Sequence, residues 1–178
     1  MKVSWYFVAV AGLLGGLAAD AGAQCTASGS PGSCGDPGTV SMTAGRVVRL
    51  QMSAGSTSLT PPTTADFDAG FNSTTGPTLT VSANASWTLS IRAASAVWMA
   101  TNTATGVAAR ANKPAADLKW SLTSGGAFSA LTASDATLVS GAATASSATT
   151  LYFQTLYAWS VDTPGSYSLS VVLTLTSP

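Results

Sequence analysis

The sequence predicts an all-β protein, an antiparallel β-sandwich of about 8–9 strands. Three observations predict it. Apolar and polar side chains alternate with a period of two along much of the chain. After the first 23 residues no stretch has the three- and four-residue apolar spacing of a long amphipathic helix, so nothing is on hand to carry parallel crossovers. Candidate strands recur at intervals of about 8 to 15 residues, separated by Gly, Pro, Ser and Asn, as in an antiparallel sandwich. A closed barrel is the second architecture.

Residues 1–23 read as a signal peptide. Lys2 gives the positive start, Trp5 to Leu17 is an apolar run, and Ala21-Gly22-Ala23 is a small-x-small cleavage site. The apolar run is shorter than the roughly 20 residues a membrane-spanning helix needs. Export to the periplasm, the cell surface or the medium is therefore expected. In an oxidising compartment Cys25 and Cys34 are expected to form a disulfide, closing an N-terminal segment over 24–37; the spacing is not the Cys-x-x-Cys of a redox pair. A single β-sandwich domain is expected over 38–178.

In that domain the first candidate strand is Thr39 to Thr43. Arg46 to Ser53 follows between Gly45 and Gly55, with Val48, Leu50 and Met52 on one side and Val47, Arg49 and Gln51 on the other. Ser53 to Thr64, rich in Ser, Thr, Ala and Gly, reads as an exposed loop. Thr78 to Val81 and Ser86 to Arg92 are strands joined through Ser82-Ala83-Asn84-Ala85, with Leu79, Val81, Trp87, Leu89 and Ile91 as apolar positions. Ala96 to Ala100, Leu118 to Leu122, Phe128 to Leu131 and Ala136 to Val139 are shorter strands. Gly106 to Ala116 carries a helical turn, because Ala108, Ala109 and Ala111 stand ahead of Pro114. Ser140 to Thr150 reads as a second exposed loop. Leu151 to Trp159 and Ser166 to Thr176 both alternate, the latter with Val172 as its exception; with the turn signal Pro164-Gly165 between them they read as a C-terminal hairpin.

Composition narrows the chemistry. Ala, Ser, Thr and Gly fill 99 of 178 positions, so the few large side chains must supply the core. There is no His and no Glu, which excludes imidazole bases, His-ligated zinc and Ser-His-Asp triads. Seven basic residues balance seven acidic ones, and the arginines at 46, 49, 92 and 110 stand apart, so nucleic acid is not an expected partner. Asp66-Phe67-Asp68 with Gly70 and Asn72 alternates oxygen ligands as a calcium loop does, but no bidentate acid follows. The two aspartates read instead as turn stabilisers, with Phe67 and Phe71 as core anchors. Lys113 and Lys119 near Asp117 read as a surface cluster. Neither Gly-x-Ser-x-Gly nor Ser-x-x-Lys occurs. No enzyme activity, cofactor or metal is expected. Trp87, Trp120 and Trp159 lie in alternating runs and read as core; Trp98, in Ala96-Val97-Trp98-Met99-Ala100, is least constrained and is the candidate ligand contact.

The stretch Leu79-Thr80-Val81-Ser82-Ala83-Asn84-Ala85-Ser86-Trp87-Thr88-Leu89-Ser90-Ile91 resembles strand pairs of bacterial immunoglobulin-like surface domains. Thr163-Pro164-Gly165-Ser166-Tyr167-Ser168-Leu169-Ser170-Val171 is similar to the final strands of exported spore-coat-U and fimbrial subunits. Trp87-Thr88-Leu89 and Trp120-Ser121-Leu122 are similar to the paired Trp-x-Leu motifs of Gram-positive cell-wall-binding domains. The resemblance implies an immunoglobulin-like sandwich, extracellular placement and a structural or adhesive job, with the chain itself or other surface subunits as partners. The alternative is a carbohydrate- or cell-wall-binding module that uses exposed aromatics on a polysaccharide.

Overall fold

The computed structural model describes residues 33–34 and 39–178. The expected signal peptide and Cys25, one half of the expected disulfide, lie outside the described residues. Residues 39–43 form no strand. Val40 and Met42 are 98% and 89% exposed, so the alternation there has no face to bury.

From Ala44 onward the described chain is mostly β, and every strand pairing is antiparallel. The elements are β1 (Val48–Met52), α1 (Thr64–Ala69), β2 (Phe71–Ala83), β3 (Trp87–Ala93), β4 (Met99–Thr101), a single 3-10 turn (Ala115–Asp117), β5 (Leu118–Ser121), β6 (Ser129–Ala130), β7 (Ala136–Gly141), β8 (Thr144–Leu156), β9 (Ser166–Ser168) and β10 (Val171–Thr176). They form a five-stranded sheet of order β1-β2-β8-β5-β6, a three-stranded sheet of order β10-β3-β7, and the pair β4-β9. None of these sheets closes on itself, which sets the barrel aside.

Both larger sheets contribute to one apolar core. Trp87, Leu89, Ile91 and Ala93 of β3 are buried in strict alternation with half-exposed Thr88, Ser90 and Arg92. Leu79 and Val81 of β2, Leu151 and Phe153 of β8, Leu118 of β5 and Leu138 of β7 belong to the same cluster, with Val48, Leu50, Val171, Leu173 and Leu175 packed against it. Strands β2 and β8, each of 13 residues, are the spine of the five-stranded sheet. Their register slips by one residue between Thr75 and Thr78, where Gly76-Pro77 forms a bulge. Both residues suit it: a Cβ on residue 76 would stand 2.6 Å from Phe153 Cε2, and a proline has no N–H to lose from the ladder.

Several expectations change. The loop expected over Ser140 to Thr150 is instead mostly strand, because Thr144–Thr150 extends β8 along β2; Thr78 and Thr150 face each other with their hydroxyls 3.1 Å apart. The C-terminal hairpin does not form. Ser166 to Thr176 breaks at Leu169-Ser170 into β9, which pairs with β4, and β10, which pairs with β3, while β8 lies between β2 and β5. The helical turn expected over Gly106 to Ala116 appears only at its end, as the 3-10 turn. Asp66-Phe67-Asp68 is helical, and Phe71, expected as a core anchor, is 43% exposed.

The tryptophans redistribute. Trp87 is 3% exposed and its indole N–H donates to Ala142 O at 2.9 Å. Trp120 is half-buried, and among the described residues no partner meets its buried Nε1. An unpaired buried donor costs about 1–3 kcal/mol while a paired one contributes. Trp120→Phe should therefore lower the midpoint of thermal unfolding less than Trp87→Phe does, and the reverse order in calorimetry would contradict this assignment.

Candidate functional site

The described chain from Ala44 onward holds eleven charged side chains, and four of them meet in one place. Lys113 precedes the 3-10 turn, Asp117 ends it, Arg110 lies three residues before Lys113, and Asp162 comes from the turn after β8. Lys113 is 2% exposed. Its ammonium group donates to Asp162 Oδ1 at 2.9 Å, to Asp117 Oδ2 at 3.1 Å and to the Leu156 carbonyl at 2.8 Å. That uses all three donors of a lysine. Arg110 Nη1 reaches the same two carboxylate oxygens at 3.0 Å and 3.2 Å. Two cations thus bridge two anions, and the group is neutral as a whole. The expected surface cluster around Lys113 and Asp117 is in fact built on a buried lysine with half-buried partners, and Lys119 has no part in its bonds.

Backbone bonds fix this cluster to the sheets. Trp98 N–H donates to Lys113 O at 2.8 Å, and its indole Nε1 donates to Pro114 O at 3.0 Å. Trp98 is only 4% exposed, so the side chain expected to be least constrained is a core residue. It also forms part of the wall of a cavity of about 570 Å³ beneath the 54–59 loop, whose lining holds no charged residue. The Tyr167 hydroxyl accepts from Arg110 N–H at 2.9 Å and donates to Thr163 O at 2.6 Å, tying the arginine's segment to β9.

Asp162 does a second job. Its Oδ2 accepts the Ala158 N–H at 2.8 Å, and the Ala158 carbonyl accepts from the N–H groups of Val161 and Asp162. The Ala158–Asp162 turn is thereby closed on itself and anchored through Asp162 to Lys113 and Arg110. Burial raises the Asp162 carboxyl; the hydrogen bonds from Lys113, Arg110 and the Ala158 amide, with the Lys113 charge, outweigh it and hold the group below its ordinary value.

The turn presents Trp159, which is 61% exposed although its alternating run predicted a core position. Its surroundings come from α1. Thr63 caps that helix: its hydroxyl accepts from Asp66 N–H, and Asp66 Oδ2 accepts the Thr63 N–H and O–H, both at 2.7 Å. The backbone bond, then the hydroxyl bond, hold the Asp66 carboxyl below its ordinary value. Gly70, with φ of 79°, ends the helix, and its carbonyl accepts Tyr157 N–H at 2.9 Å. Phe67 is thus brought against the aromatic pair, its ring 5.4 Å from that of Tyr157 and stacked on Trp159 at 4.6 Å. Trp159 Nε1 donates to Asp68 Oδ1 at 3.0 Å. Tyr157 joins the two halves of the site, since Lys113 Nζ lies 5.4 Å from its ring centroid. Burial raises the Tyr157 hydroxyl above its ordinary value; the Thr155 side chain pulls it down, and the charges of Asp66 and Asp162 push it further up.

Of the two aspartates read as turn stabilisers, Asp66 caps α1, whereas Asp68 accepts its hydrogen bond from the Trp159 indole. Among the described residues no three His, Cys, Asp or Glu side chains converge to hold a metal ion. No helix among them is long and apolar enough to cross a membrane. The Thr63-x-x-Asp66 capping signal and the Lys113-x-x-x-Asp117 spacing were available in the sequence; the bonds of Arg110 and Lys113 to Asp162 join segments about 50 residues apart and left no local signal.

No known family model matches this chain, and no curated protein matches it.

Proposed function

We propose that the chain is an exported, immunoglobulin-like β-sandwich with a non-catalytic structural or adhesive job at the cell surface, where its partners are further copies of itself or other surface subunits. The observation that carries this reading is the pair of edges of the three-stranded sheet. Strand β7, Ala-Thr-Leu-Val-Ser-Gly, and strand β10, Val-Val-Leu-Thr-Leu-Thr, hold neither a charge nor a proline, the usual guards of a sheet edge. Such edges can add a strand from another chain through main-chain hydrogen bonds. The sharing of one core by two antiparallel sheets supports the sandwich. The chemistry of the buried acids supports a non-catalytic role, because Asp117 and Asp162 are each held by two cations and offer a poor general base. A disulfide between Cys25 and Cys34 fits export and is part of the proposal.

Light scattering coupled to size exclusion tests it. The purified protein should show a mass that grows with concentration. Thr137→Lys with Ser140→Lys, both at exposed positions of β7, should shift it toward monomer without lowering the melting temperature appreciably. A strict monomer at every concentration would sink the assembly reading.

A further inference from the structure

The geometry points to a second site, independent of the sheet edges: the solvent-facing side of Trp159 is a binding platform for neutral carbohydrate, with Asp68 accepting hydrogen bonds from the sugar. Trp159 is 61% exposed, yet its side chain is fixed from two directions. Phe67 covers one indole face at 4.6 Å, with 29° between the ring planes. Asp68 Oδ1 accepts the indole N–H at 3.0 Å. The backbone that bears the residue is fixed as well, through Asp162 and its bonds to Lys113, Arg110 and the Ala158 amide.

Holding a large apolar ring rigid in water gains little for folding, since its outer face buries nothing. It does gain for binding, because the entropy of ordering the contact surface is already lost. The chemistry of the ligand follows from what is presented. With its N–H occupied, the indole offers a π-face and no donor. Beside it stands a carboxylate, which is an acceptor and has lone pairs beyond the one the indole uses. A pyranose fits both groups, because one side of the ring is a sheet of C–H groups and its rim carries hydroxyl donors. A quaternary ammonium ion would also tolerate a π-face and a carboxylate, but it is bound in cages of several aromatic faces. Here Phe67 is spent against Trp159, and the Tyr157 ring has Lys113 5.4 Å from its centroid, so one open face remains and the site is a platform.

The test is a titration of the purified protein with soluble hexamers of glucose, xylose, mannose and N-acetylglucosamine, and separately with tetramethylammonium, read on the tryptophan indole N–H signals by NMR. Trp159→Phe assigns the Trp159 signal. At least one hexamer should move that signal saturably, and Trp159→Ala, which lacks the signal and is followed by isothermal titration calorimetry, should weaken binding of that hexamer about tenfold or more. Trp159→Phe, which keeps a flat ring over Phe67, should retain part of the affinity; Asp68→Asn should weaken binding severalfold. Near-ultraviolet circular dichroism should leave the other aromatic signals in place, since the substituted ring is mostly in solvent. The site is overturned if no hexamer moves the Trp159 signal, if binding survives Trp159→Ala unchanged, or if tetramethylammonium moves the signal while every sugar is silent. A monomer that binds sugar, or an assembling chain that does not, separates this inference from the assembly reading.

Discussion

Lys113→Ala should cost about 3–5 kcal/mol of stability, the range for removing one partner from a buried ion pair, and urea unfolding followed by tryptophan fluorescence will show it. The cost has little to do with the attraction that is lost. Lys113 is 2% exposed and stands between two carboxylates, and without it Asp117 and Asp162 face each other across a single arginine while the Leu156 carbonyl loses its donor. Water cannot freely replace the ammonium group, so the uncompensated charge is what destabilises. The corollary separates this account from simple loss of packing: Lys113→Met combined with Asp162→Asn leaves one cation on one anion and should recover a large part of the loss. A double variant as unstable as the single one would refute it.

The same cluster predicts how stability follows pH. The Asp162 carboxyl is lowered on folding, so its contribution is complete above the ordinary aspartate value of about 4 and is lost as pH falls through the lower folded value. The Tyr157 hydroxyl is raised, so its contribution is complete below the ordinary tyrosine value of about 10 and is lost as pH climbs through the folded one. Urea midpoints should therefore be flat between about pH 5 and 9 and fall on both sides. Lys113→Ala should change the acid limb, because it removes one of the bonds that keep Asp162 charged. An acid limb identical in both proteins would show that other groups set it.

How much of this was legible depended on whether the signal was local. Burial of alternate residues in β3 and in the second half of β2 was readable because Trp87, Leu89, Ile91, Leu79 and Val81 carry the period themselves. Residues 144–150 were not: that half of β8 is built from Thr, Ser and Ala, has no apolar face, and is a strand because its backbone and the Thr150 hydroxyl are met by β2. Pairing partners were beyond reach. The alternation of Tyr167, Leu169, Val171, Leu173 and Leu175 runs unbroken through Leu169-Ser170, where the chain leaves one sheet for another. Trp98 and Trp159 exchanged roles for the same reason. Nothing next to Trp98 announces that Lys113 and Pro114 will accept its two N–H groups, and nothing next to Trp159 announces that Asp162 will close its turn outside the sheet. The charges were the neglected clue. In a chain this poor in them, a lysine, an arginine and two aspartates near segment ends are cheaper to bury together than apart.

Phe153→Ala should be the other severe substitution, with a loss of about 3–5 kcal/mol for deleting a buried phenylalanine ring. Phe153 is 5% exposed, lies in the central strand β8 and packs its ring against Gly76 of the bulge. Gly76 is the complement of that ring: a Cβ there would meet Phe153 Cε2 at 2.6 Å, Cδ2 at 2.9 Å and Leu151 O at 3.1 Å. Overpacking of this kind costs about 1–3 kcal/mol, so Gly76→Ala alone should also destabilise. If the ring and the missing Cβ are two sides of one packing solution, the two substitutions must couple. Gly76→Ala made in a Phe153→Leu background should cost clearly less than in the parent, because the branched side chain no longer carries an atom at the position of Cε2. Chemical denaturation of the four proteins of that cycle measures the coupling directly. Additive losses would mean that the backbone at the bulge, and not the ring, is what excludes a side chain at residue 76.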